Sequence, residues 1–134
     1  MHGGAAERAD RAAAGLVAMG FWRQAIEWAL DDQTRGEVEK QRAWAEAEPS
    51  NPRPYYHLAE LNRTQGRQDE ALGLLLEAVR LDPSFAPAHV ALAEIYAVRS
   101  DVEAARRHAD LAAANGDERA KEMLERYTGS VRSI

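Results

Sequence analysis

The fold is decided by two consecutive stretches of equal length, PRPYYHLAELNRTQGRQDEALGLLLEAVRLDPSF (residues 52–85) and APAHVALAEIYAVRSDVEAARRHADLAAANGDER (residues 86–119). When the sequence is shifted against itself by 34 residues, similar residues align, and the match extends beyond these two stretches toward the N-terminus. The shift aligns Ala25 with Ala59 and Ala93, Pro49 with Pro83, and Phe21 with Tyr55 and His89. Self-similarity at one fixed period is the sequence signature of a repeat architecture. We therefore predict three repeats of 34 residues.

Each repeat has the pattern of two helices joined by a tight turn. In the middle repeat, Asn51 and Pro52 are suited to a helix start, and Gly66 can take the left-handed conformation that ends a helix. A second helix is then expected over about residues 68–82. The third repeat is expected to open near residues 86 and 87, and the whole chain is predicted to be nearly all helical.

Two four-residue segments are expected to cap the second helices of the other repeats. Ser100 to Glu103 form a capping box in the third repeat, and Thr34 to Glu37 form the equivalent box in the first. Such a box satisfies backbone N–H groups that have no partner inside the helix. We therefore expect the helices to begin at Ser100 and Thr34.

Alanines at fixed positions give the two helices of a repeat a close contact. Ala59 is placed to meet Ala71 and Ala78, and the third repeat has alanine at all three matching positions. A single helix pair cannot bury its apolar face alone, so neighbouring repeats must stack. The predicted fold is an all-α stack of antiparallel helix pairs.

Composition excludes several classes of function. The chain has no cysteine, which removes disulfides, thiolate catalysis and most structural zinc and favours a cytoplasmic location. Its net charge is −5, and acidic and basic residues are interspersed along the chain, which argues against a basic nucleic-acid interface. The longest uncharged apolar stretch, residues 12–22, is about half of a bilayer span. No histidine has a metal-binding spacing, and we predict no enzymatic activity, cofactor, metal or membrane insertion.

The repeats resemble the tetratricopeptide repeat family, whose signature runs Trp-Leu-Gly-Tyr-Ala-Phe-Ala-Pro. In the middle repeat it falls on Tyr55, Leu58, Ala59, Asn62, Gly66, Ala71, Leu75, Ala78 and Pro83, and in the third on His89, Leu92, Ala93, Tyr96, Ala105, Ala109 and Ala112. The first repeat is degenerate, with Gln24 and Glu37 where the family has Leu and a small residue. The resemblance implies a right-handed superhelical stack of helix pairs with terminal capping helices.

The expected domain organisation follows from the period. Residues 1–17 form a flexible start that can add an N-terminal helix, and residues 117–128 form a C-terminal capping helix followed by a tail at 129–134. The repeats occupy residues 18–119, divided into 18–51, 52–85 and 86–119. An alternative register pairs residues 5–17 with 21–32 and leaves residues 34–48 without a partner helix.

The resemblance also implies where a partner binds, because in this family the first helix of each repeat lines the concave groove. The groove positions here are Trp22, Arg23 and Ile26 in the first repeat, Arg53, Tyr56, His57, Glu60 and Arg63 in the second, and Val90, Glu94 and Ala97 in the third. Exposed Trp, Tyr and Arg are the side chains that most often anchor protein interfaces. Glu60 and Glu94 are one period apart and are expected to face each other across the groove.

Members of the family that hold the C-terminal carboxylate of heat-shock chaperones use cationic side chains. The matching positions here carry Trp22, Ile26, His57, Pro87 and Ala91, so a cationic clamp is not expected.

The predicted function is a non-catalytic adaptor or scaffold that binds a protein or peptide segment in the groove. One alternative is a homo-oligomer that assembles through Phe21, Trp22 and a C-terminal apolar stripe made of Ala120, Met123, Leu124 and Tyr127. The other is that the chain is the repeat region of a larger enzyme or secretion machine. The Ala- and Arg-rich composition favours a bacterial source.

Overall fold

A computed structural model of the chain describes residues 22–23 and 31–132, with side chains described as far as residue 127. Six helices occupy the continuous part, and these described ranges contain no strand: α1 Asp32–Ala47, α2 Arg53–Thr64, α3 Gln68–Leu81, α4 Ala86–Val98, α5 Val102–Ala114 and α6 Arg119–Arg132. The predicted all-α class is confirmed. The expected segment 1–17 and the residues of the alternative register before 31, apart from Trp22 and Arg23, lie outside the described residues.

The chain divides into two compact segments, residues 1–46 and 47–134. In the first, α1 buries one stripe, spaced three or four residues apart: Thr34, Val38, Gln41 and Ala45. Glu37, which the 34-residue shift aligns with the buried Ala71, is exposed, and Val38 takes the buried position next to it. The first repeat therefore departs from the repeat pattern at Glu37, where the neighbouring Val38 supplies the buried side chain.

The start of α1 differs from the expected capping box. The Asp31 carboxylate accepts hydrogen bonds from the backbone N–H and the hydroxyl of Thr34, both at 2.7 Å. Asp31 is therefore the capping side chain, and Thr34 lies inside the first turn of the helix. These hydrogen bonds, led by that of the hydroxyl, hold the pKa of Asp31 below its usual value.

In the second segment, α2 and α3 form a helical hairpin. The Asn51 side chain accepts a hydrogen bond from the N–H of Arg53 at 2.9 Å, so it caps the start of α2 as expected. Gly66 has a φ of +76°, which ends α2. The helix end is completed by a hydrogen bond from Arg67 N–H to Asn62 C=O at 2.8 Å. Between the helices, Ala59, Ala71 and Ala78 are completely buried, which permits close approach of the two backbones.

The third repeat, α4 and α5, uses the same turn with a different residue. Ser100 lies one period after Gly66 and has a φ of +64°, and Asp101 N–H bonds to Tyr96 C=O at 2.9 Å. The cap of α5 is Asp101, whose carboxylate accepts from Ala104 N–H at 3.2 Å. The capping box was therefore placed one residue too early, because Ser100 belongs to the end of α4.

The last helix, α6, packs against α5 and α4. Its Ala120 and Leu124 join a core cluster with Val90 of α4 and with alanines of α5. The backbone stays helical through Arg132, beyond the expected end at 128, because a glycine such as Gly129 costs a helix only about 1 kcal/mol. Within the described residues, no helix is both long enough and apolar enough to cross a membrane.

Candidate functional site

An open cleft of about 360 Å³ lies where α2 meets the turn that precedes α4. Tyr56 and His57 contribute from α2, and Phe85 and Pro87 contribute from the turn and the first residues of α4. Asn115, in the turn between α5 and α6, lines it as well. The complete lining is Arg53, Tyr56, His57, Asp82, Ser84, Phe85, Ala86, Pro87 and Asn115. We call this surface the Tyr56 cleft.

Aromatic rings form the apolar part of the Tyr56 cleft. The half-buried ring of Tyr56 meets the ring of Phe85 edge to face, with centroids 5.6 Å apart, and meets His57 at the same distance. Edge-to-face packing holds aromatic rings in place beyond the effect of buried area alone. The cleft therefore presents a fixed aromatic surface rather than a collection of mobile side chains.

A three-membered charge cluster adjoins Tyr56. Arg63 donates to the Glu60 carboxylate on its own helix at 3.3 Å and to the Glu94 carboxylate on α4 at 2.9 Å. The Arg63 side chain is 24% exposed, while the side chains of Glu60 and Glu94 are 42% and 40% exposed. The two glutamates are thus joined by Arg63, and both retain a face toward solvent. We call this arrangement the Glu60–Arg63–Glu94 cluster.

The pKa shifts agree with this geometry. Partial burial acts to lower the pKa of Arg63, but the hydrogen bond that Arg63 donates to Glu94 and the charges of both carboxylates outweigh it, so the pKa is raised. Burial raises the pKa of Tyr56, and the negative charge of Glu60 adds to the shift. At neutral pH the Tyr56 hydroxyl therefore keeps its proton and can donate a hydrogen bond.

The structure brings together most of the expected groove positions of the second repeat. Arg53, Tyr56 and His57 line the cleft, and Glu60 and Arg63 belong to the adjoining cluster. From the third repeat, Glu94 joins the same cluster through Arg63. These six residues lie in one compact segment, on helices α2 and α4.

Two of the expected groove residues are not available to a partner. Val90 is only 6% exposed and belongs to the core cluster under α6, because α6 packs on α4 at this position. Trp22 is also 6% exposed, so its indole cannot act as a surface anchor. Arg23 is exposed, and Ile26 lies outside the described residues.

Sequence reasoning missed the contributors to this surface that lie in turns and at helix starts. Phe85, Asn115 and Asp82 lie in turns, and Arg119 begins α6. The positive charge of Arg119 acts on both Tyr56 and Glu94, although the hydrogen bond that Arg119 donates to Asp117 is the main cause of its own raised pKa. One signal was present in the sequence, since Phe85 and Arg119 are one period apart. The groove positions that the family resemblance implies lie on the first helices alone, so they include no turn residue.

The site has no feature of a metal centre. Throughout the part of the chain that the structure describes, no group of three or more His, Asp or Glu side chains could hold a metal ion. The carboxylates that lie closest to the cleft are committed to other partners. Asp82 accepts from the Ser84 hydroxyl at 2.7 Å, which lowers its pKa, and Glu60 and Glu94 bind Arg63.

Comparisons with known proteins identify the repeats. The sequence model of the Tetratricopeptide repeat family matches residues 31–107, more than half of the chain. Among curated proteins, the chain is similar to the TPR repeat-containing thioredoxin TTL4 of Arabidopsis thaliana, with 45% identity over 60 residues. The matched part makes up 45% of this chain but only 9% of that relative, so the chain spans a small fraction of the relative's length. No solved structure matches the chain.

Proposed function

The chain belongs to the tetratricopeptide repeat family, and from this premise we propose that it is a non-catalytic module that binds a segment of a partner protein. Such repeats generally mediate protein–protein interaction. The binding surface we propose is the Tyr56 cleft together with the Glu60–Arg63–Glu94 cluster. The observation that carries the proposal is that a fixed aromatic surface and two partly exposed carboxylates lie side by side.

The Tyr56 cleft suits an apolar side chain. Tyr56 and Phe85 offer ring surface, and Pro87 adds an aliphatic wall. Aromatic residues that are fixed before binding lose little conformational entropy when a partner arrives. Interfaces usually concentrate their binding energy in a few anchors of this type.

The charge cluster suits a basic side chain next to that apolar one. Glu60 and Glu94 share a single Arg63, which leaves the cluster with a net negative charge. Their side chains are 42% and 40% exposed, so a Lys or Arg of the partner can reach a carboxylate without displacing Arg63. We therefore propose a partner segment, extended or helical, that carries apolar residues and a Lys or Arg.

A carboxylate-terminated chaperone peptide does not suit this surface. Of the five positions that match the chaperone clamp, His57, Pro87 and Ala91 lie in the second segment, and none of them carries a fixed positive charge. The carboxylates at this surface, Asp82 in the cleft and Glu60 and Glu94 beside it, would repel an anionic peptide terminus. A peptide ending in Glu-Glu-Val-Asp should accordingly show no binding at micromolar concentration.

The test is selection of peptides from a random displayed library on the wild-type protein. Selected peptides are then measured by fluorescence polarisation against wild type and a Tyr56→Ala/Glu60→Ala variant. We expect affinity to fall at least about tenfold in the variant while the far-UV helix signal is unchanged, since loss of one anchor costs more than 1 kcal/mol. The matched control is Tyr127→Ala/Glu125→Ala on the exposed side of α6, which should bind as wild type does. Equal affinity in both variants would refute the proposed surface.

The two alternative functions, self-assembly and the repeat region of a larger enzyme or secretion machine, stay proposals. Self-assembly through the C-terminal stripe is less favoured, because Ala120 and Leu124 are buried and Met123 is half-buried, which leaves Tyr127 as the exposed member of the stripe. The cytoplasmic location and bacterial source stay predictions.

A further inference from the structure

Two histidines meet in the core of the third repeat. His89 on α4 is 3% exposed and His108 on α5 is 8% exposed. Their Nδ1 atoms are 2.9 Å apart, and their rings stack with centroids separated by 5.2 Å. Tyr96 also stacks on the His108 ring, at 5.6 Å and nearly parallel. None of this belongs to the binding surface described above.

The surrounding groups assign the protons of this pair. The Nε2 of His89 lies 2.8 Å from the Pro83 carbonyl, which can only accept, so His89 carries its proton on Nε2. Neutral His89 then offers a lone pair at Nδ1, and His108 must donate its Nδ1–H to it. The hydrogen bond across the α4–α5 interface is therefore made by two neutral rings in a single combination of tautomers.

The environment opposes positive charge on His108. Burial lowers the pKa of His108 to about 4, and the positive charge of Arg107 on α5, together with that of His89 whenever His89 is protonated, adds to the effect. Near His89, the Asp82 carboxylate in the turn after α3 is the charged group that interacts with the ring. Among the described residues of α3 and α6, no charged group shifts His108.

The middle repeat offers a natural comparison. One period earlier, the positions of His89 and His108 are occupied by Tyr55 and Leu74, which are buried at 6% and 2% exposure. The same packing site is thus filled by side chains that do not titrate near neutral pH. The histidine pair adds a response to protons at the helix interface that supports α4, the helix carrying Glu94.

We propose that the His89–His108 hydrogen bond is an acid-sensitive latch that holds α4 on α5 and opens when the pair takes up two protons. In the doubly protonated pair, two Nδ1–H groups face each other and two positive charges lie in the core, so the bond is lost and the helices separate. Opening would also release Glu94 from its place beside Arg63. That last consequence rests on the proposed function, whereas the latch itself does not.

The test is urea unfolding of the full chain between pH 7.5 and pH 4.5. For a group whose pKa falls from about 6.5 unfolded to about 4 folded, the unfolded state binds more protons in this range, so the stability decreases as the pH is lowered. The unfolding equilibrium constant of wild type should rise on the order of fifty-fold. The His89→Tyr/His108→Leu variant, which copies the middle repeat, should not show this rise in the unfolding equilibrium constant. The control is His57→Gln, which removes an exposed histidine and should show the same rise as wild type.

A second measurement tests the proposal on wild type alone, in case the double variant does not fold. Long-range ¹H–¹⁵N spectra of wild type report the protonation of each ring nitrogen without any mutation. At pH 7 we expect the Nε2–H form of His89 and the Nδ1–H form of His108, with His108 staying neutral at pH 5.5. Titration of His108 near pH 6.5, or equal pH dependence in wild type and double variant, would overturn the latch. Neither measurement needs a partner, so failure of the binding proposal would leave the latch standing.

Discussion

The guanidinium of Arg63 on α2 donates a hydrogen bond of 2.9 Å to the Glu94 carboxylate on α4, across 31 residues of sequence. The same group binds Glu60 one turn earlier on α2 at 3.3 Å. Arg63 thereby connects the first helices of two consecutive repeats. It also converts two like charges, which would repel each other, into a cluster that can form part of a surface.

Replacing Arg63 by Met should cost little stability, and the cost should depend on salt. The carboxylates are about 40% exposed, and pairs of this type contribute up to about 1 kcal/mol. We expect a loss of roughly 0.5–1 kcal/mol in 20 mM salt that shrinks at 1 M, where the Debye length is about 3 Å. Urea unfolding at both salt concentrations measures it. Arg42→Met, whose partners Glu39 and Glu46 lie on the same helix, is the control and should cost less. A salt-independent loss of 3 kcal/mol or more would indicate instead that Arg63 is part of the core.

Exchanging the turn residues of the two repeats should change stability in opposite directions. Gly66 and Ser100 occupy the same left-handed position, with φ of +76° and +64°. A non-glycine residue there costs about 1–2 kcal/mol, partly offset by the entropy that glycine loses on folding. We expect Ser100→Gly to stabilise the protein by roughly 0.5–1 kcal/mol and Gly66→Ser to destabilise it by a similar amount.

Thermal unfolding of both turn variants measures this effect. A Cβ at position 66 would have no heavy atom within 4 Å, so the Gly66→Ser variant isolates the backbone contribution from any steric clash. If both substitutions changed the melting temperature in the same direction, the φ angles would not be the cause.

Removing the buried amide of Asn62 should stabilise the middle repeat. Asn62 is 1% exposed, and its Nδ2–H donates to the Leu58 carbonyl at 2.9 Å. Its Oδ1 is buried and has no hydrogen-bond partner in the protein. An unpaired buried polar atom costs about 1–3 kcal/mol.

Leucine has the branching of asparagine without the polar atoms. We expect Asn62→Leu to raise the free energy of unfolding by about 1 kcal/mol, as measured in urea. Asn115→Leu serves as the control, because its amide makes the same bond to the fourth residue before it but lies at the surface. A loss of stability in Asn62→Leu would show that the added methyl groups do not fit, or that the oxygen is satisfied by solvent.

Much of the fold could be predicted because the relevant signals are local or periodic. The alanines that the 34-residue shift aligns in the middle and third repeats, Ala59 and Ala93, are both completely buried. The helix ends near Gly66 and Asn51 follow from the conformational preferences of those residues. Capping by Ser100 was wrong because both Ser100 and Asp101 are good capping residues, and only the left-handed turn at Ser100 assigns that role to Asp101.

The candidate site could be predicted only in part. Positions on α2 were implied by the resemblance to the tetratricopeptide repeat family, in which the first helix of each repeat lines the groove. Val90 was misplaced because its burial depends on α6, a helix that the repeat pattern does not cover. Phe85 and Asn115 were missed because turns far apart in sequence meet at the Tyr56 cleft.

By itself, the sequence determined the repeat family, the all-α class and the buried alanines of the middle and third helix pairs, because these depend on residue period and on preferences that act over a few residues. The tertiary structure alone decided that Arg63 joins Glu60 to Glu94, that Val90 is core, and that His89 meets His108. These relationships join side chains 19 or more residues apart, or depend on which helix covers another. Repetition fixes where helices lie along the chain, whereas packing between them decides which side chains remain available to a partner or to a proton.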